Sequence, residues 1–350
     1  EGVRFFNCIQ FSPVKKATSL SYSPPTQGFS ATISGNYNYV SSKRSGVQGL
    51  AESLFAYDPD KKIINGEMQY FYHDFNYLEE DTFELNVLCS STLKNFGYTV
   101  NTKRELGKEQ NLPCINFSGE NTSLNKVMTA KLFIKGVHYY LAYTISDKNT
   151  PFSDPYLSSF RLTDFKHINE MKTITDHKYS FVVKDEMVPE DRNYLDEALE
   201  GFYENIEKEK NSKNHSTDFD YHSKSKTYYS PSSGEHVNID YEKFNDYDYR
   251  NPDEIWENVK RNTNNNASFI ITNTSLKKEN GITTFDMVLK DTACTNILKR
   301  KYILKDGLLF CLTAIGGWVK GTRGWTGRFL GSCTPEDTIF SRPLVELKTT

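Results

Sequence analysis

The stretch Gly316-Gly317-Trp318-Val319-Lys320-Gly321-Thr322-Arg323-Gly324-Trp325-Thr326-Gly327-Arg328 concentrates two of the chain's three tryptophans among glycines and cations. Indole faces stack on sugar rings and aromatic ligands, and guanidinium and ammonium groups hold anions. The stretch therefore reads as a binding loop over residues 316–328, with Trp318, Arg323, Trp325 and Arg328 as its candidate contacts. The other reading is a strand-to-helix connection whose tryptophans fold back onto the protein. Its spacing matches no phosphate-loop fingerprint, which needs a strand before it and a long helix after it.

Other reactive groups are scattered. His215, Asp218, Asp220 and His222 carry metal-ligand chemistry on paper, but they sit in a Ser/Asn-rich run where a preformed geometry is not expected. No Gly-x-Ser-x-Gly elbow occurs, and no Cys has a His near it in sequence. The run Asp185, Glu186, Glu190 and Asp191 is explained by a helix dipole without acid–base work. His138 is placed in an exposed hairpin turn. No catalytic set, metal or cofactor is expected. Tyr70, Tyr72 and Tyr77 fall near alternate positions, and a tyrosine row of that kind either binds a partner on an outer sheet face or packs beneath a helix.

The elements that position these groups follow from composition and patterning. In 350 residues, 22 Tyr and 23 Phe favour strands, because aromatic side chains pack well on a pleated surface. Against 45 acidic residues the 42 basic ones leave a net charge of −3, which lacks the basic excess of a nucleic-acid binder. No apolar run is long enough for a membrane-spanning helix. The six cysteines, with no metal-ligand spacing, read mostly as small buried hydrophobes.

Landmarks recur in order. Tyr57-Asp58-Pro59 returns as Tyr229-Ser230-Pro231, and Asp81 before Leu85 and Leu88 returns as Asp253 before Ile255, Trp256 and Val259. Lys131–Gly136 with Tyr140–Tyr143 returns as Lys301–Gly307 with Phe310–Thr313, each a hairpin, and Leu157–Phe160 returns as Leu330–Cys333. The expected fold class is α+β, with two tandem homologous modules at residues 18–165 and 170–345. Each is an antiparallel sheet packed with helices. The second carries a helical insertion at about 189–210 and a mobile loop at 211–226.

The segment Gly28–Ile33, with Leu157–Phe160 at the far end, resembles the PsbP- and Mog1-like folds of bacterial envelope modules. Thr173–Val183 together with Cys333–Phe340 is similar to segments of large extracytoplasmic proteins of Bacteroidota, although Cys333 stands where an aromatic is expected. The resemblance implies a non-enzymatic scaffold or interaction module at the periplasm or outer membrane, with protein partners in an envelope complex. The alternative is a glycan or small-ligand binder using loop 316–328. It also implies that Thr350 is a truncation point. Asp291-Thr292-Ala293 and Asp337-Thr338-Ile339 fit the short pattern O-glycosylated in that phylum, which makes Thr292 and Thr338 candidates.

Overall fold

The structure, a computed structural model, describes residues 19–41, 48–72, 74–75, 77–149, 155–166, 171–176, 181–185, 188–189, 222–244, 251–265, 269–317 and 324–336. The first half runs β1 Ser19–Tyr22, β2 Phe29–Ser34, β3 Asn36–Ser41, β4 Gln48–Asp58, β5 Ile63–Tyr72, α1 Asp81–Asn95, β6 Thr99–Glu109, β7 Leu112–Asn121, β8 Lys126–Lys135, β9 His138–Asp147, α2 Tyr156–Ser159 and β10 Arg161–Leu162. The second runs β11 Lys172–Asp176, β12 Phe181–Asp185, β13 Val188–Pro189, β14 His222–Tyr229, β15 His236–Lys243, α3 Pro252–Asn265, β16 Ile270–Glu279, β17 Ile282–Lys290, β18 Asn296–Lys305, β19 Leu308–Gly317, α4 Trp325–Ser332 and β20 Thr334–Pro335.

These strands form two seven-stranded sheets, ordered β3-β4-β5-β9-β8-β7-β6 and β13-β14-β15-β19-β18-β17-β16, and two three-stranded sheets, β1-β2-β10 and β11-β12-β20. Every pairing is antiparallel. The chain is thus predominantly antiparallel β, and the α+β expectation is corrected. A sheet buried on both faces needs two covers. Here a helix supplies only one of them, and a small sheet with a short helix supplies the other.

The helix cover is visible in the first half, where Leu85, Cys89 and Leu93 of α1 pack on Ile115, Phe117, Met128, Leu132 and Leu141. On the opposite face Tyr22, Phe29, Ala31 and Ile33, with Tyr156 of α2 and Phe160 just after it, pack on Leu54, Ala56, Phe133 and Tyr140. Central strand β9 is accordingly buried at almost every position, which a two-sided strand requires. Edge strand β16 is exposed almost throughout and ends in Lys277, Lys278 and Glu279, charges that discourage edge-to-edge pairing.

Two expected boundaries change. His222–Lys226, assigned to the loop at 211–226, opens β14 instead, since His-Ser-Lys-Ser-Lys-Thr pairs residue for residue with β15 down to Lys243. Pro189, expected near a helix start, pairs with Tyr228 in β13. Residues 190–210 lie outside the described residues.

The halves touch end to end. The α1 residue Asp81 accepts from the Thr295 amide at 2.9 Å through Oδ2, and its own amide donates to the Ala293 carbonyl at 3.3 Å. Asn296 Nδ2 donates to the Gly136 carbonyl at 2.9 Å. Leu78 and Val137 of the first half are buried with Phe244, Ile255, Trp256 and Phe285 of the second.

Candidate functional site

The two large sheets correspond in strand order and in the register of their central hairpins. Lys135 pairs with His138 at the β8–β9 turn as Lys305 pairs with Leu308 at the β18–β19 turn. Counting outward along the registers, Tyr140 corresponds to Phe310, Glu67 to Ile239, Gln69 to Tyr241, Phe55 to Thr227, Gly66 to Asn238, Met68 to Asp240 and Tyr70 to Glu242. Directly paired residues share a face, so the faces of the two sheets can be compared position by position.

On the helix-side face of the first sheet, α1 covers β7 to β9 and leaves β3 to β5 open. Val40, Phe55, Tyr57 and Tyr70 are 50%, 48%, 41% and 37% exposed there, too much apolar surface at adjacent positions for scattered surface residues. Gly66 is why the row is continuous. The Tyr143 ring lies across it, so that a Cβ at 66 would come within 2.2 Å of that ring. The ring also meets Phe96, the residue that caps the end of α1, edge-on at 5.2 Å between centroids. Between the helix and the open strands runs a cleft of about 330 Å³, lined by Met68, Tyr70, Leu88, Phe96 and Tyr139. Phe83 and Val87 on the outer side of α1 extend the apolar surface.

The matching face of the second sheet keeps a tyrosine, Tyr229, at the place of Tyr57, but is polar at the places of Phe55, Gly66, Met68 and Tyr70. Ser225 and Thr227 hydroxyls donate to Asn238 Oδ1 at 3.2 and 3.1 Å, and Asn238 Nδ2 donates to Asp240 at 2.9 Å. The same strand order therefore carries hydrogen-bonded, water-compatible chemistry in one half and aromatic chemistry in the other.

Inside the first half lies a second difference. Asn65, Glu67 and Gln69 of β5 are buried on the face toward the small sheet. Asn65 accepts from the Thr144 hydroxyl at 2.8 Å, and Gln69 Nε2 meets His138 Nδ1 at 2.9 Å. Neither carboxyl oxygen of Glu67 has a partner among the described residues. Burial, reinforced by the nearby Glu52 charge, raises its pKa well above the carboxylate range, which favours the neutral acid. His138, expected in an exposed turn, is instead fully enclosed in β9, and burial pulls its pKa down to about 3. The register puts its side chain between the two halves, something spacing to a glycine turn does not reveal.

The sequence-derived candidates are dispersed by the fold. Trp325 is 0% exposed and packs on Phe329 at 5.2 Å, so its face is not an open platform. Arg328 turns inward to Asp185 at 3.7 Å, tying α4 to β12. That pair, rather than a helix dipole, accounts for Asp185. Trp318, Arg323 and Thr338 lie outside the described residues, as do His215, Asp218 and Asp220. Thr292 is exposed in the β17–β18 turn. Tyr70 joins the aromatic face, and Tyr72 follows it in β5 with its side chain outside the described residues. Asp81, a landmark of the sequence repeat at the start of α1, spends its carboxylate on the other half of the molecule. Among the described residues no group of three or more His, Cys, Asp or Glu could hold a metal ion, and Cys89, Cys114, Cys294, Cys311 and Cys333 are free thiols. No described helix is long and apolar enough to cross a membrane.

No family model matches the chain, and no curated protein matches it. Among solved structures it is similar to the solution structure of cyanobacterial PsbP (CyanoP) from Synechocystis sp. PCC 6803, with 11% identity and a TM-score of 0.32, covering 45% of this chain and 99% of that one. It is also similar to the crystal structure of MucB in complex with MucA(peri), with 6% identity and a TM-score of 0.14, covering 87% of this chain and 93% of that one. At these scores neither structure bears on the PsbP, Mog1-like or Bacteroidota resemblance, which rests on the sequence. Scores this low carry no argument about function, which rests on the residues.

Proposed function

We propose that the chain is a non-catalytic interaction module that docks a protein partner on the open aromatic face of its first sheet. The carrying observation is that Phe55 and Tyr70 are exposed where the second sheet has Thr227 and Glu242, beside the exposed Val40 and Tyr57, the latter matched by Tyr229 in the second sheet. A fold that can finish this face with polar groups has no structural need of exposed rings. Tyrosine and phenylalanine are the side chains that anchor protein interfaces. The unit carrying the face is residues 18–165, followed by a second unit at 170–345. Its setting at a bacterial cell envelope belongs to the same proposal and rests on the sequence resemblance alone.

A photo-crosslinking residue at Phe55, with the same residue at Thr227 as the internal control, tests this in cells that make the native protein. A discrete crosslinked product from position 55 and none from 227 is expected. Equal products from both, or none from 55, would overturn the reading. A glycan reading has less support, since the described indole at 325 is enclosed.

A further inference from the structure

The two large sheets have four outer edges, and three of them carry devices that discourage a further strand. β6 contains Arg104, Glu105, Lys108 and Glu109 and breaks register between Asn101 and Arg104. β16 contains Lys277, Lys278 and Glu279 and breaks register between Ile271 and Asn273. β13 is two residues long and ends in Pro189, and β14 beside it contains Lys226. Charge, bulge, proline and shortness are the means by which natural sheet edges avoid pairing. The outer strands of the small sheets, β1, β10, β11 and β20, have 4, 2, 5 and 2 residues.

β3 is the exception. Asn36-Tyr37-Asn38-Tyr39-Val40-Ser41 has no charge and no proline, and it pairs with β4 without a break in register. All of its residues except Tyr39 are exposed. On its outer side no strand of the described residues pairs with it, so a row of backbone N–H and C=O groups is free to accept one more strand. The edge is also held in place. The chain enters it through Gly35, whose φ is +87° and where a Cβ would come within 2.0 Å of the Tyr57 carbonyl. The Tyr22 ring meets Tyr37 edge-on at 5.1 Å and lies 6.1 Å from Tyr39.

The residues of β3 say which strand it fits. Tyr37 and Tyr39 share one face of the strand, and Asn36, Asn38 and Val40 share the other. Tyr37-Asn38-Tyr39 reads the same in both directions. Two copies of β3 run antiparallel about a dyad at Asn38 set Tyr37 of each copy opposite Tyr39 of the other, Asn38 opposite Asn38, and Asn36 opposite Val40. Paired residues keep to their own faces in this register, aromatic pairs across strands are stabilising, and no like charges meet. We infer that β3 is the interface of a homodimer, in which a second copy of this chain adds its own β3 and joins the two first sheets into one continuous sheet. The same patch serves both copies, so the contact closes on itself at two. The inference does not depend on what docks on the aromatic face.

The test is sedimentation equilibrium of the intact chain over a series of concentrations. Asn38→Lys brings two ammonium groups together at the dyad and Asn38→Asp brings two carboxylates together, each at an exposed position. Thr274→Lys, exposed on edge strand β16, is the control. The wild type is expected to dimerise. Each Asn38 variant alone is expected to dimerise at least tenfold more weakly, an equimolar mixture of the two is expected to recover the dimer because Lys then faces Asp, and Thr274→Lys is expected to match the wild type. A wild type that stays monomeric at every concentration, as it would if another segment of the chain covered β3, would overturn the inference. So would a dimer that resists both Asn38 charges, a mixture that stays monomeric, or equal weakening by Thr274→Lys.

Discussion

Glu67 and His138 face each other's neighbours across β5 and β9, and their titrations pull stability in opposite directions. Burial holds His138 near 3 and His236 near 4, below the value of about 6.5 in an unfolded chain. The stability that goes with their neutral rings is complete above that value and is lost as pH falls through 4 and then 3. Glu67 is raised, so its contribution is complete below the unfolded carboxyl value and is lost as pH climbs toward its folded one. His138→Leu, which installs the residue found at the matching position in the other half, is expected to flatten the loss between pH 6.5 and 4 in urea titrations. Glu67→Leu is expected to raise stability at pH 7 by about 1–3 kcal/mol, because an unserved buried acid gives way to an apolar group of similar size. A drop of similar size would show the carboxyl to be hydrogen-bonded. Glu67 did not stand out in the sequence, and His138 read as an exposed turn residue. A lone Glu in an alternating strand points to one face, and nothing local says that a second sheet closes over it.

At the scale of elements, α1, α3 and the central hairpins were legible and the lids were not. Leu85, Cys89 and Leu93 pack inward from α1, as Ile255 and Trp256 do from α3, and the Gly136 and Asp306-Gly307 turns take positive φ, which favours glycine. The small sheets escaped notice because β1 and β11 are only four and five residues long, and each sheet is completed by a two-residue strand far away in sequence, β10 on β2 and β20 on β12. The open face escaped for the same reason. Period two puts Phe55, Tyr57 and Tyr70 on one side but cannot say where α1 stops covering it. Two substitutions address these elements. Gly66→Val must displace the Tyr143 ring from above β5, and overpacking of this kind costs about 1–3 kcal/mol, readable as a lower denaturant midpoint. Asp81→Ala removes the acceptor of the Thr295 amide and is expected to speed hydrogen exchange at Thr295 while Leu141, in the middle of β9, stays protected. Unchanged exchange at Thr295 would mean that the contact does not hold the two halves together.

Across the whole molecule, one strand order is used twice with opposite finishes. The first large sheet has a polar interior row and an aromatic open face. The second has Val237, Ile239 and Leu312 inside and, outside, a hydrogen-bonded Ser/Thr/Asn/Asp cluster beside Tyr229. That inversion is the basis for assigning binding to the first sheet and packing to the second. The direct test transfers the second face onto the first. Phe55→Thr and Tyr70→Glu reproduce Thr227 and Glu242 at exposed positions, which leaves the core untouched. Wild type and double variant are purified natively side by side, with the amount of any companion protein measured by mass spectrometry and folding checked by thermal melting. A stoichiometric companion in the wild type, reduced at least tenfold in the double variant at an unchanged melting temperature, is the expected result. A companion retained in full by the double variant, or none with the wild type, would contradict the assignment of the aromatic face as the docking surface.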